Sequence, residues 1–556
     1  MTPAINFPYS LIMLSKALSL LPPNWPALLF KTCLFLFLAY LSFKIVKRIH
    51  YNLRWRRRAA ALGCLPIPHV QNYDPIFGFD MLYAVYKGIR TRKLLEIDHQ
   101  RFKTLKTNTH SFSIMGKYFI TTMEPQNIKH ILATGFADYP IDEGREKVLG
   151  EILGQGIFTT NGAAWKHSRE LLRPCFERAQ IDDSSLFEKH AARLVAAIPN
   201  NGEFFDLQPL FFAASLDISS EHFFGQSTDC LLPRQKNGGN KSDVDRFVDA
   251  FDQMAKGIIG ADSKWCILGM FLPDFEQKKR IKTVQGFVEG IVAKAIEDRK
   301  AFSSIEKGDH GGKPRHVFLQ DLLNETQDVT KIRSELLNIL IAGRESTANL
   351  LSNIFFILSQ NPAIFQKLEQ EILTSLPADK IPTFADLKSL PYLRAMINET
   401  QRLYPVVPEN NRAAGRDTTM PLGGGPDGTS PVFVPKGTMV SWSLWGMHRR
   451  RDFYGEDADE FKPERWLDDP AEGKKGLRVG WEYLPFNGGP RVCIGQQFAL
   501  GEISYLIVKL VRAFEAIEPE EKGRVWKEHF FLTCTIDDGV RIKMRPRRTR
   551  KEEATV

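Results

Sequence analysis

No CxxC pair, no internal repeat and no acidic residue among the first 60 positions occurs in this sequence of 556 residues. The seven cysteines (Cys33, Cys64, Cys175, Cys230, Cys266, Cys493, Cys534) are scattered and odd in number. That argues against a disulfide framework and a zinc ribbon, and it fits a reducing compartment. For most of them a small buried apolar residue is the ordinary reading. The missing N-terminal acid says more. Nine bases stand in that segment: Lys16, Lys31, Lys44, Lys47, Arg48, Arg54, Arg56, Arg57 and Arg58. Removing them from the 74 basic residues leaves 65, equal to the 65 acidic ones, so the whole formal charge of +9 is N-terminal. A body of balanced charge is unsuited to DNA or RNA. With 43% hydrophobic and 11% aromatic residues, it can bury a large core.

From Ala27 to Val46 the only charges are Lys31 and Lys44, both close enough to an end to snorkel. Asn24 and Pro26 suit a helix start. The basic run Lys44–Arg58 follows, and the positive-inside rule then leaves the C-terminal body in the cytosol. A cleaved signal peptide is the competing reading; the long apolar stretch and the stop-transfer cluster favour an anchor. Leu11–Leu21 is too short to span and is interfacial or unassigned. The expected organisation is a membrane anchor with its basic segment over 1–60, one catalytic body over 61–546 and a polar tail over 547–556.

Leu62–Pro75, with Pro66 and Pro68, reads as a stiff connector. A short strand pair is expected around Phe112–Thr122, turning at Gly116-Lys117, and Glu124-Pro125 opens a helical pattern through Ile128, Ile131 and Leu132. Apolar spacing is mostly helical from 165 to 375, interrupted by polar, Gly-rich loops at Gln235–Ser242 and Ser303–Arg315. Short strands follow from 413 to 442, with turns at Gly423-Gly424-Gly425 and Pro435-Lys436-Gly437. Helix returns over Gln496–Phe514 and alternation over Phe531–Ile542. The fold class is mainly α with small β-sheets behind an N-terminal transmembrane helix.

The most informative segment is Phe486-Asn487-Gly488-Gly489-Pro490-Arg491-Val492-Cys493-Ile494-Gly495, followed by helical Gln496-Gln497-Phe498-Ala499-Leu500. An inert buried cysteine in a glycine loop is the bland reading. Phe486, Gly488, Arg491, Cys493 and Gly495 would nevertheless coincide at these spacings less than about once in a million starts. The segment resembles the haem-binding motif of the cytochrome P450 family, and the wider string is similar to fungal and yeast members that hydroxylate alkanes and fatty acids. The resemblance implies that the Cys493 thiolate ligates the iron of haem b (iron protoporphyrin IX). Gly488 and Gly489 would let N–H groups face the sulfur, and the following helix would present its positive end to it. Phe486 would exclude water, Gly495 would clear the ring, and Arg491 would meet a propionate.

Glu399-Thr400-Gln401-Arg402 places an acid and a base at i and i+3, worth roughly 0.2–0.5 kcal/mol on a helix surface. Phe461-Lys462-Pro463-Glu464-Arg465-Trp466 downstream changes its meaning, since the resemblance implies a buried triad of Glu399, Arg402 and Arg465 supporting the cysteine loop. Trp165 and Arg169, four apart, match the family's WxxxR contact to a propionate. A surface Trp–Arg pair is the alternative. Arg412 is a further propionate candidate, and His448 is either near the haem edge or a generic loop histidine.

Lys331–Asn361 reads as one helix of about 46 Å. In its middle, Ala342-Gly343-Arg344-Glu345-Ser346-Thr347 contains a glycine that costs roughly 1 kcal/mol in a helix interior. Gly343 is either a packing accommodation or, as the resemblance implies, part of a small pair that loosens the helix over the haem. The resemblance makes Glu345 and the neighbouring alcohols Ser346 and Thr347 a catalytic proton relay. Serine stands where the family usually has threonine; it keeps the hydroxyl and loses the methyl that fixes the rotamer.

The implied activity is haem-thiolate monooxygenation of a hydrophobic substrate at the endoplasmic reticulum membrane, by a single-pass protein with a cytosolic catalytic domain. NADPH–cytochrome P450 reductase would supply electrons near Lys166, Arg169 and Arg173, with cytochrome b5 as a further donor. Terminal hydroxylation of a fatty acid or alkane is the leading substrate reading; Gly156-Ile157-Phe158-Thr159-Thr160 and the Leu422–Gly428 loop share that resemblance. The lining would come from Ala137–Gln155, Phe204–Phe287, the long helix and the Phe530–Asp538 hairpin. Tailoring of a fungal terpenoid or polyketide is the alternative. An isomerase or dehydratase, or a haem sensor, would have no need of Glu345-Ser346.

Overall fold

The computed structural model describes residues 25–74, 78–115, 117–177, 184–233, 242–259, 274–302, 317–530 and 532–547. The expectations for Leu11–Leu21, Asn24, Pro75, Gly116, 235–241, the Ser303–Arg315 loop, Phe531 and 548–556 lie outside them. The chain divides into two compact units, Met1–Leu65 and Pro66–Val556.

Among the described residues, the first unit contains one helix, Trp25–Ala61. Phe30, Leu34, Phe35, Leu36, Phe37, Leu38 and Phe43 are exposed along it. Among the described residues, however, no helix is long and apolar enough to cross a membrane. The transmembrane expectation for Ala27–Val46 is therefore not met there. Lys31 on one side and Lys44 and Lys47 on the other leave only Thr32–Phe43 uninterrupted.

In the second unit the long central helix runs Val329–Gln360, about 48 Å. It starts two residues before the expected Lys331 because Asp328 caps it, accepting from the N–H groups of Thr330 and Lys331. It stops at Asn361, which precedes Pro362. Its apolar residues serve two separate cores. Ile332, Leu336, Leu337 and Leu340 pack with Leu149, Leu153, Phe251 and Val288. Leu351, Ile354, Phe355 and Leu358 pack with Phe211, Met396, Leu506 and Val508. The Ala342–Thr347 stretch falls between the two. From Ser334 to Ser359, only Ala342, Gly343 and Ser346 are not buried.

A four-stranded sheet is ordered Thr109–Ile114, Lys117–Thr122, Met439–Ser443, Glu409–Ala413, with the middle pair parallel and the others antiparallel. Thr418–Gly424 and Ser430–Val434 form a separate hairpin, and Gly425 at its turn has φ +81°. The expected C-terminal alternation resolves into Glu528–Phe530 paired with Cys534–Ile536, and Arg541–Pro546 between Phe205–Asp206 and Phe514–Pro519. The helix after the cysteine loop is Gln496–Ala513, because Phe514 already begins a strand.

Gly343 faces a neighbouring helix, Gln208–Phe224, where a Cβ would lie 2.6 Å from the Ser219 hydroxyl oxygen. Of the two readings of this glycine, close helix packing has a direct contact behind it. Gly343→Ala should lower stability by roughly 1–2 kcal/mol despite the better helix propensity. Adding Ser219→Ala should restore most of it, because the offending oxygen is gone; chemical denaturation of the two variants checks this.

Candidate active site

The cysteine loop is built by backbone constraints before any side chain acts. The Cys493 N–H donates to the Phe486 carbonyl at 2.9 Å, closing the loop on itself. Gly489 has φ +66°, and a Cβ there would lie 1.9 Å from the Leu132 carbonyl oxygen. No other residue fits that position. Gly488 is needed because the Trp481 ring would be 2.9 Å from its Cβ. At Gly495 the nearest group is the Phe176 ring, 3.2 Å from a Cβ.

Cys493 retains exposed surface although protein surrounds it closely. Burial raises its pKa, while the Gly495 N–H, which donates to the sulfur, and the nearby Arg169 charge pull it down. Helix Gln496–Ala513 begins three residues later, with its positive end on the same side of the loop.

Four guanidinium groups cluster beside the loop. Burial first, then the repulsion of Arg145 and Arg491, pushes Arg412 down to about 9. Burial with Arg145 and Arg169 pushes Arg491 down to about 10. None of Arg145, Arg169, Arg412 and Arg491 makes an ion pair among the described residues; Asp142 is the nearby acid acting on Arg145 and Arg412. Arg491 donates to the carbonyls of Ile157 and Thr160 and to Asn161 Oδ1, and it stacks 4.4 Å over Trp165. Arg412 donates to the Asn411 carbonyl and lies over Trp442. Such a concentration of positive charge favours an anionic partner. With a thiolate-forming cysteine alongside, the donor set fits an iron porphyrin held by Cys493 and bearing two carboxylates.

Glu399 lies beneath this loop, buried completely with Arg402. Its carboxylate accepts from Arg402 Nε and Nη2, each at 2.8 Å, from Arg465 Nε at 2.8 Å, from Trp466 Nε1 at 2.9 Å and from the Lys462 N–H at 2.9 Å. Arg402 spends its remaining reach on the carbonyls of His448, Ala458 and Glu460. The structure thus brings Glu399, Arg402 and Arg465 together. His448 is part of this assembly. Burial pushes its pKa down to about 3, so the ring is neutral. Its Nε2 accepts from the Leu484 N–H at 3.2 Å and its Nδ1 donates to the Arg402 carbonyl at 3.3 Å. With both ring nitrogens used, His448 links the triad to Leu484, just before the cysteine loop.

On the central helix, Glu345 is buried and its Oε2 has no hydrogen-bond partner among the described residues. Burial pushes its pKa up to about 7, with Arg344 opposing and Asp252 adding to the rise. The Ser346 hydroxyl donates to the Ala342 carbonyl at 2.7 Å, while Thr347 is buried. Asn349 donates to the Thr533 hydroxyl at the tip of the C-terminal hairpin.

Sequence reasoning missed Arg145, Asn161, Asn338 and Trp466. Asn338 ties the 154–158 loop to the central helix, accepting from the Phe158 N–H and donating to the Leu153 carbonyl. Asn161 joins Arg491 to the backbone of Ile141. Asn161 occupies a recognisable helix-cap position, and Trp466 stands inside a motif already noticed. Arg145 and Asn338 carry no local signal.

A family model described as Cytochrome P450 matches residues 81–539. Cytochrome P450 monooxygenase himC of Aspergillus japonicus is 39% identical over 500 residues, covering 90% of this chain and 87% of that protein. Cytochrome P450 monooxygenase g430 of a Fusarium species is 38% identical over 519 residues, covering 91% and 89%. Cytochrome P450 52A12 of Debaryomyces hansenii is 38% identical over 496 residues, covering 87% and 92%.

Glu399→Gln would leave Arg402 and Arg465 buried beside a neutral amide. The expected loss is roughly 3–5 kcal/mol, read by denaturant unfolding, together with reduced retention of a bound chromophore. An unchanged unfolding midpoint would contradict the keystone role assigned to this carboxylate.

Proposed function

Because this chain belongs to the cytochrome P450 family of monooxygenases, we propose that it hydroxylates the end of a fatty-acid or alkane chain. What supports the substrate reading is that, between Ser334 and Ser359, the central helix leaves only the small residues Ala342, Gly343 and Ser346 short of full burial, at the junction of two apolar cores. An alkyl chain that offers its end needs apolar surroundings there and no polar anchor. The resemblance of the Gln496–Leu500 string to alkane- and fatty-acid-hydroxylating members supports the same choice.

The overall reaction is RH + O2 + NADPH + H+ giving ROH + H2O + NADP+, with both electrons delivered by an NADPH–cytochrome P450 reductase. The haem implied by the family supplies dioxygen activation when bound. Cys493 is proposed as its thiolate ligand, favoured in ionised form by the Gly495 N–H and the Arg169 charge. Arg412, Arg491 and Arg145 would neutralise the carboxylates of that group, and Trp165 holds the Arg491 plane. Glu345, with a pKa near neutrality, stores a proton at physiological pH. Ser346 donates its own proton to the Ala342 carbonyl, which leaves its oxygen as an acceptor for a proton carried by water. Thr347, one position on, is buried like Glu345 and is the second alcohol of the proposed relay. Exposed Lys166 and Arg173 with Arg169 form the docking face for the reductase, with cytochrome b5 as a second donor. The exposed apolar residues of helix Trp25–Ala61 and its basic continuation favour attachment to the endoplasmic reticulum membrane, with the body cytosolic.

Titrating the ferric protein with long-chain fatty acids and alkanes should give a saturable low- to high-spin shift of the Soret band. No shift across the panel, with normal carbon-monoxide binding, would favour the terpenoid or polyketide tailoring reading. Glu345→Gln should reduce product formed per NADPH by roughly a hundredfold, and Ser346→Thr should match or exceed the native coupling; product and NADPH assays decide both. Deleting 25–61 should move the protein from the membrane pellet to the supernatant.

A further inference from the structure

Three carboxyl groups from three separate elements meet beside the hairpin that carries Thr533. Asp98 stands on helix Leu94–Leu105, Glu409 opens the sheet strand Glu409–Ala413, and Glu528 opens the hairpin strand Glu528–Phe530. Asp98 and Glu528 are buried. Asp98 Oδ1 accepts from Arg101 Nη1 at 3.1 Å. Glu528 accepts from the Leu95 N–H at 3.1 Å and from the Leu94 N–H, in the first turn of the helix. Glu409 Oε1 and Asp98 Oδ2, by contrast, are buried, and no donor among the described residues reaches either.

Two neighbouring carboxyls without outside donors are satisfied by a proton between them. If both were ionised, they would repel across a poorly screening interior. Burial first, then the charge of Asp98 and the hydrogen bond with it, and then the charge of Glu528, hold Glu409 well above the usual carboxylate range; Arg101 opposes them. Burial pushes Glu528 up to about 7 against its two N–H bonds, with Glu96 adding to the rise and Arg92 opposing it. Burial pushes His99 and His110, both near Asp98, down to about 4, so their rings are neutral near pH 7. It pushes the Cys534 thiol up, as do the charges of Glu528 and Glu409. Farther out, Asp537 is bonded to Arg92 Nε at 3.2 Å and to His529 Nδ1 at 2.7 Å.

We propose that a proton shared by Asp98 and Glu409 latches the hairpin Glu528–Ile536 to helix Leu94–Leu105, and that its loss as pH rises frees the hairpin. The latch is independent of which substrate the protein takes. It reaches the central helix through Thr533, which immediately precedes the strand Cys534–Ile536 and accepts from Asn349 at 2.6 Å. Asn349 is one turn along that helix from Glu345. Glu409 and Glu528 bind their protons more tightly in the folded protein than in the unfolded chain. Their stabilisation is therefore complete below the ordinary carboxylate range and is lost as pH rises through the raised values. Once Glu409 is ionised, three negative charges face one bonded guanidinium, and the repulsion falls between helix, strand and hairpin.

Hydrogen–deuterium exchange of the full-length haem protein, read by mass spectrometry and corrected for the intrinsic pH dependence of exchange, tests the latch. Protection of the Cys534–Ile536 amides should fall roughly tenfold between pH 6 and pH 9, while the central helix at Leu350–Leu358 keeps its protection. Glu409→Gln retains an N–H donor for Asp98 and cannot ionise, so hairpin protection should stay level over the same range. Asp98→Asn removes the other charge of the pair and gives the same reading if Glu409→Gln fails to fold. Hairpin protection independent of pH in the native protein would overturn the latch. So would a fall of equal size in a folded variant, or a parallel loss in the central helix, which would mark global unfolding.

Discussion

A single buried carboxylate determines how four segments of this protein meet. Glu399 has both oxygens saturated by two arginines, an indole and a backbone N–H. The arrangement is demanding, because ions taken from water repay their desolvation only when every donor and acceptor is matched. Here the matching extends outward. Arg402 fixes the carbonyls of His448, Ala458 and Glu460, and Arg465 fixes those of Tyr454, Asp457 and Glu460. The stretch from 448 to 466 lacks long regular elements, so these bonds do for it what a helix ladder or a sheet does elsewhere. An apolar core of similar volume would be comparably stable but would not specify where each carbonyl sits.

His448 carries that order to the cysteine loop. A neutral imidazole can donate from one nitrogen and accept at the other, so it can join two backbones where a protonated ring could not. Burial and the adjacent Arg402 hold it neutral. From Leu484 the loop is then fixed by its own backbone and by Gly489 pressed against Leu132. Cys493 is thus positioned by a sequence of contacts that starts two elements away, with no side chain needed to hold the sulfur itself.

The long helix, the cysteine loop and the acidic–basic motifs were legible in the sequence because each is local. Periodicity reports a buried helix, and fixed spacings report a loop whose residues touch one another. The departures have physical reasons. His448 was indistinguishable from a surface histidine because both of its partners are far along the chain. Arg145 acts on Arg412 and Arg491 through space alone. The N-terminal stretch counted as apolar on average, although its lysines divide it into a shorter uninterrupted run. Gly343 had two open readings, and only the neighbouring Ser219 could separate them.

The central helix explains why one short run of residues can hold opposed duties. Successive residues of an α-helix point about 100° apart, so Arg344, Glu345 and Ser346 face three directions. Arg344 lies over Phe212 and Phe251 from two neighbouring helices, Glu345 lines the cleft between those helices, and Ser346 lies between the two cores. The serine hydroxyl is already committed to the Ala342 carbonyl, as a threonine at this position would be. What serine lacks is the methyl that blocks the other rotamers. In the proposed relay the hydroxyl would therefore be held by that one hydrogen bond rather than by packing.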